Sequence, residues 1–236
     1  MRIFGISLTL GGLFVSTGGL ASPPLAASGS GSADRLLLPP TAKVGDETFG
    51  ELTARWWRWA EHMPIAPYLD PDGRLCEFYQ DGPVWFLAGT DGSFNARRRC
   101  VVPKERHILV PVINMLHSSV VRRNGSPPTT PCNVLQGRAA VNNDRLGSAV
   151  VLIDGMRVSD VARYRVRSDG CFQLEPGSDA SLISAADGYW LLIEPLPAGR
   201  HTLVVGANYA ADEAGYGRMV QNFEYVLDVG GKTDEL

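Results

Sequence analysis

Apolar side chains recur first at helical spacing and later in alternation along this chain. Phe49, Leu52, Thr53, Trp56, Trp57, Ala60 and Met63 stand three or four residues apart or side by side on one face, and Thr48 with Glu51 three residues on makes a capping box. The spacing predicts one helix over residues 48–63, stopped by Pro64, with Glu51, Arg55, Arg58 and Glu61 outward. The punctuation then becomes that of a β protein. Asp-Gly occurs six times, at Asp72, Asp81, Asp91, Asp154, Asp169 and Asp187, each beside a turn-prone or strand-like stretch. Short strands are expected over residues 84–88, 107–113, 149–154, 158–167, 189–194, 201–206 and 219–229. In the last, Phe223, Tyr225, Leu227 and Val229 alternate with polar Asn222, Glu224 and Asp228, the pattern of a half-buried strand. Residues 189–193 are apolar throughout and predict a central strand covered on both faces. The expected fold class is all-β, an antiparallel β-sandwich of the immunoglobulin-like or jelly-roll kind with one N-terminal amphipathic helix.

The N-terminus follows a different rule. Arg2, an uncharged run from Ile3 to Val15 and small residues up to Ala21 read as a secretory signal cleaved after Ala21, too short to span a bilayer. Residues 22–44 are a flexible Ser/Gly/Pro-rich segment, 45–230 one domain and 231–236 a tail. The address is secreted or periplasmic, with no transmembrane anchor. Thr233-Asp-Glu-Leu has Thr where an ER-retrieval signal needs Lys or His, and Asn124-Gly-Ser is the one glycosylation sequon.

Cys76, Cys100, Cys132 and Cys171 all follow the signal, and an even count in an exported chain points to two disulfides. Three pairings are open. Nearest-neighbour closure, Cys76 with Cys100 and Cys132 with Cys171, is preferred because it clamps the two irregular stretches. Charge is nearly balanced, 22 basic against 25 acidic residues for a net of −3, without the basic field of a nucleic-acid binder.

Candidate chemistry is dispersed. His62, His107, His117 and His201 lack zinc spacing, and no metal or cofactor is expected. His107 and His117 would share one rim of the sheet with Asn114. Neither a G-x-S-x-G elbow nor a P-loop is present, so catalytic residues are unassigned. Glu194 and Glu224 are the carboxylates to test in a glycan-cleaving enzyme. Asp70, Asp72 and Asp81 offer a loose oxygen site against the alternative of a plain turn. Arg163, Arg165 and Arg167 alternate along the strand expected at 158–167, a row about 7 Å apart that suits an acidic glycan or envelope polymer, or else a solvated face paired with local carboxylates. Of the five tryptophans, Trp59 stands on the less apolar side of the helix and is the exposed candidate for stacking a sugar ring.

Five segments carry a resemblance: Trp56-Trp57, Gly82 to Gly89 (GPVWFLAG), Arg98 to Pro103 (RxCxVP), Pro111 to Asn114 (PVIN) and Gly199 to Leu203 (GxHTL). Together they resemble a family of exported, mostly bacterial proteins of uncharacterised function, over residues 45–229. The closing pair of strands also resembles the end of bacterial immunoglobulin-like modules. The resemblance brings no substrate with it; the sequence as a whole leads to the expectation of an exported, disulfide-stapled binding or envelope-associated module without catalysis, the alternative being an exported glycan-directed hydrolase.

Overall fold

The computed structural model describes residues 31–119, 130–177, 182–210 and 215–231. The leader, the Asn124 sequon and the Thr-Asp-Glu-Leu end therefore lie outside the described residues. A two-strand hairpin, β1 (Lys43–Val44) and β2 (Glu47–Thr48), leads into helix α1 (Phe49–His62). The capping box forms as expected: the Thr48 hydroxyl accepts from the Glu51 amide, and the Glu51 carboxylate accepts from the Thr48 amide. Then come β3 (Val84–Phe86), β4 (Ala96–Val102), β5 (His107–Ser118), helix α2 (Cys132–Asn143), β6 (Leu146–Ile153), β7 (Met156–Arg157), β8 (Arg165–Arg167) and β9 (Phe172–Gln173). Three long strands close the chain: β10 (Ile183–Ile193), β11 (Gly199–Tyr209) and β12 (Val220–Val229).

These strands form two five-stranded sheets. One runs β3-β5-β10-β8 with β9 also on β10, the other β4-β12-β11-β6-β7. Ile108, Val110, Leu191 and Ile193 from the first meet Val151, Leu203, Val205, Phe223, Tyr225 and Leu227 from the second in one core. The opposite face of the first sheet presents Val84, Phe86, Leu109, Trp190 and Leu192 to Phe49, Leu52, Trp56 and Trp59 of α1. The order of layers is thus helix, sheet, sheet. Strand β10, covered on both sides, has ten of its eleven residues buried, which is why 189–193 shows no polar alternation.

The pairing is mostly but not wholly antiparallel, since β3 runs parallel to β5 and β4 parallel to β12. Strand β4 hides in the sequence because it contains Arg97, Arg98 and Arg99; burial alternates, and only Arg98 turns inward. Helix α2 has no apolar stripe, and Asn142 and Asn143 are among its buried residues. The strand expected at 158–167 is broken by a 3-10 turn over Val161–Tyr164. Asp187-Gly188 is not a turn but the middle of β10, where a Cβ on Gly188 would collide with the backbone and Cβ of Asn114. Both disulfides form in the preferred pairing, with Cα separations of 5.8 Å for Cys76–Cys100 and 5.7 Å for Cys132–Cys171.

The docking of α1 rests on Trp56, which is 2 % exposed, packs its ring 5.4 Å from that of Trp190, and donates Nε1–H to the Leu87 carbonyl at 2.7 Å. Trp56→Ala is expected to reduce unfolding free energy by roughly 3–5 kcal/mol in urea. Arg58 is less peripheral than helix spacing implies, because its Nε donates to the Gln173 carbonyl and its guanidinium lies over the Phe172 ring. Arg58→Ala is expected to lose about 1 kcal/mol in the same assay.

His201 supplies a pH-dependent clasp between β11 and the β6–β7 turn. Nδ1 lies 2.7 Å from the Asp154 carboxylate and Nε2 2.9 Å from the Pro197 carbonyl, two pure acceptors that only the imidazolium satisfies together. Burial alone would lower its pKa, but these bonds outweigh it and raise the pKa above 6.5. The clasp therefore stabilises fully below the unfolded value and fades as pH rises through the raised folded one. His107 and His117 shift downward and act in the opposite sense, so the measurement is a difference. The stability gap between wild type and His201→Gln is expected to be widest near pH 6 and to narrow toward pH 8.

Candidate binding cleft

Strand β5 is twelve residues long, yet β3 pairs with it only through Val84, Trp85 and Phe86. One further bond, Leu87 N–H to the Leu109 carbonyl, continues the ladder, and then the chain leaves. What draws it off is Arg98, 3 % exposed, whose guanidinium donates to the carbonyls of Ala88 and Gly89 at 2.6 and 2.7 Å, to that of Asp70 at 2.7 Å, and to the Tyr225 hydroxyl at 3.0 Å. Gln221 completes the diversion by accepting from the Thr90 amide and donating to its carbonyl. A side chain at Gly89 would displace Gln221 from this crossing, since a Cβ there would sit 2.8 Å from the Gln221 side-chain oxygen.

The departure leaves a cleft of about 260 Å³ beside β5. Trp56 and Trp57 of α1 and Tyr68 form one wall, Pro111, Ile113, Asn114, Met115 and Leu116 the floor, and Thr90, Asp91, Met219 and Gln221 the far side. Two donors in these walls, Trp57 Nε1 and Asn114 Nδ2, are buried without an acceptor. Each such group carries an unrecovered desolvation cost of about 1–3 kcal/mol. Burial raises the pKa of Tyr68, and bonds from the Ser93 hydroxyl and amide hold the Asp91 carboxyl low. The lining has one carboxylate and no histidine or cysteine, so it presents neither a carboxylate pair nor a base beside a nucleophile.

The residues singled out in the sequence fall elsewhere. Trp59 is not exposed but buried at 6 %, its Nε1 bonded to the Phe78 carbonyl; the half-exposed tryptophan at the cleft is its neighbour but one, Trp57. Arg163 lies in the 3-10 turn, off the strand that carries Arg165 and Arg167, so the three make no straight row. Glu194 follows β10 and Glu224 sits on the outer face of β12, paired with Arg97, on different sheets and outside the cleft. His107 and His117 stand near opposite ends of β5 rather than at one rim. The Asp70 carboxylate is a plain turn anchor: burial opposes its charge, but the amides of Leu75, Gly73 and Asp72 hold its pKa low. Asp72 pairs with Arg74 and Asp81 with Arg55. Among the described residues no group of three or more His, Cys, Asp or Glu is placed to hold a metal ion.

Four of the five segments singled out for the resemblance converge here: Trp56-Trp57, Gly89, Arg98 and Pro111 to Asn114. Tyr68, Met219 and Gln221 carry no sequence signal, because only the crossing of the chain at Gly89 brings them together. Compared with models of known protein families, with curated proteins and with solved structures, the chain gives no match.

One strand in from the cleft, Asp187 of β10 stands in register with Met115 of the floor. Its carboxylate, 1 % exposed, accepts from Arg165 Nε at 2.8 Å, Arg165 Nη2 at 2.9 Å and Arg167 Nε at 2.6 Å, and Arg165 also reaches Asp144 at 2.7 Å. The bond to Asp187 above all holds the Arg165 guanidinium charged, its pKa raised. Asn143 links α2 to this group, donating to the Asp187 carbonyl and accepting from the Tyr209 hydroxyl. Asp187→Asn removes the buried counter-charge of Arg165 and leaves it only the exposed Asp144 carboxylate, and is expected to reduce stability by about 3 kcal/mol. Arg167→Gln, half exposed, is expected to lose under about 1 kcal/mol by urea unfolding.

Proposed function

We propose that the protein is an exported, non-catalytic binding module, secreted or periplasmic, that holds its ligand in the cleft beside β5. The observation that carries this is the pairing of an apolar wall from Trp57, Tyr68, Leu116 and Met219 with two buried N–H donors, on Trp57 and Asn114, that lack acceptors. A ligand with an apolar group matches the wall, and hydrogen-bond acceptors on it engage the two donors once small side-chain movements open these to the cleft. Two disulfides support an oxidising compartment, and among the described residues no helix is long and apolar enough to cross a membrane. The β11–β12 hairpin supports an immunoglobulin-like reading of the sandwich. Glycan cleavage has less support, because Glu194 and Glu224 lie apart on separate sheets. An acidic glycan or envelope polymer also finds less than a row of arginines implies, since Arg165 and Arg167 are bonded to Asp187.

The test is to screen disulfide-intact mature protein on glycan and peptide arrays and to titrate the hits by tryptophan emission. Met219→Glu places a charge at a partly buried position of the cleft, at the margin of the inter-sheet core, and its fold is checked by urea unfolding beside wild type. The expected result is saturable binding weakened at least about tenfold by Met219→Glu, the loss that accompanies roughly 1.4 kcal/mol. Hits whose affinity is indifferent to that change would place the ligand site elsewhere.

A further inference from the structure

The cleft runs along an unpaired sheet edge. Beyond Leu109, β5 has a strand partner only on its β10 side among the described residues. A bulge at residues 112–113, where the register with β10 shifts between Tyr189 and Trp190, changes which residues face outward. Before it, the His107 amide and the Leu109 carbonyl point to the β3 side; after it, the Ser119 amide points to Ile183 at the start of β10. Alternation then turns the backbone amides and carbonyls of Asn114 and Leu116 toward the cleft. Proteins blunt such edges with proline, bulges or charge, and here Pro111 and the bulge protect the first part only. Asn114-Met115-Leu116 that follows carries no charge.

Resting on the cleft being the binding site, we propose that its occupant is an extended segment of a partner polypeptide that adds as a strand to β5 from Asn114 to Ser118. A row of alternating amides and carbonyls is complementary to one kind of group, another extended backbone. The surroundings also set the side chains. On one face of the added strand lie Trp57, Tyr68, Asn114 and Leu116, which suit an apolar residue; on the other lie Met115 and Met219, followed by His117 and Arg138. Arg138 is exposed and, among the described residues, forms no ion pair with a carboxylate, while burial and then Arg138 itself lower the His117 pKa. An acidic side chain at the end of the segment nearest Ser118 complements that cation. The cleft is bounded by Trp56 and Trp57 of α1 on one side and by Met219 and Gln221 at the start of β12 on the other.

The probe is an immobilised random heptapeptide library, selected on the disulfide-intact protein, with each selected peptide resynthesised carrying a backbone N-methyl group at one position at a time. Strand addition requires a period of two: methylation at alternate positions weakens binding at least tenfold, and at the intervening positions leaves it within about twofold. Selected sequences are expected to carry one apolar residue and a nearby Asp or Glu, and Arg138→Gln is expected to weaken them severalfold. Met219→Glu separates the two levels of the claim. Peptides sensitive to Met219→Glu but uniformly tolerant of N-methylation would overturn strand addition and leave the cleft standing, as would a glycan ligand with that sensitivity. Failure to select any peptide, with no array ligand sensitive to Met219→Glu, would overturn both.

Discussion

The buried guanidinium of Arg98 is the constraint on which the rest of this architecture depends. Among the described residues no carboxylate accepts a hydrogen bond from it; it takes neutral oxygens, the carbonyls of Asp70, Ala88 and Gly89 and the hydroxyl of Tyr225, and it lies over the Tyr225 ring. Desolvating a guanidinium without such acceptors costs several kcal/mol, so the chain after β3 is held wherever those carbonyls must be. That position is against the second sheet. β3 therefore ends after three residues, and β5 is left with an edge that nothing else in the described chain covers.

Against that local departure stands the continuity of β10. Its two faces serve two cores, the tryptophan cluster under α1 and the space between the sheets, so a change in either is transmitted through one strand. Asp187 keeps the middle of that strand polar, in register with Met115 of the cleft floor, and Gly188 lets β5 approach without collision. The same segment thus carries an electrostatic anchor and the support of the binding floor.

Most of the scaffold is readable from local pattern, because each element that packs by a simple periodicity shows it. The capping box at Thr48, the alternation of 223–229 and the unbroken apolar run of 189–193 all become what their spacing predicts. The misses share a cause. Arg98 and Asp187 are charged residues that face inward because of partners far away in sequence, and they disguise β4 as a basic patch and β10's centre as a turn. Asn142 and Asn143 disguise α2 in the same manner. Trp57 and Trp59 exchange roles because the helix docks with Trp59 against Phe86 and Phe78, a rotation that helical spacing alone leaves open. The cleft itself is a product of chain crossing, and no single segment announces it.

Residue-resolved amide hydrogen exchange along β5 in the free protein tests the open edge most directly. Ile108, Val110, Met115 and His117 are bonded toward β10, whereas the Asn114 and Leu116 amides face the cleft. The account requires Asn114 and Leu116 to exchange faster than Met115 and His117 by roughly a hundredfold, as for amides outside a protected ladder. Equal protection from Ile108 through Ser118 would mean that the edge is already paired, and that the cleft is not a site for an added strand.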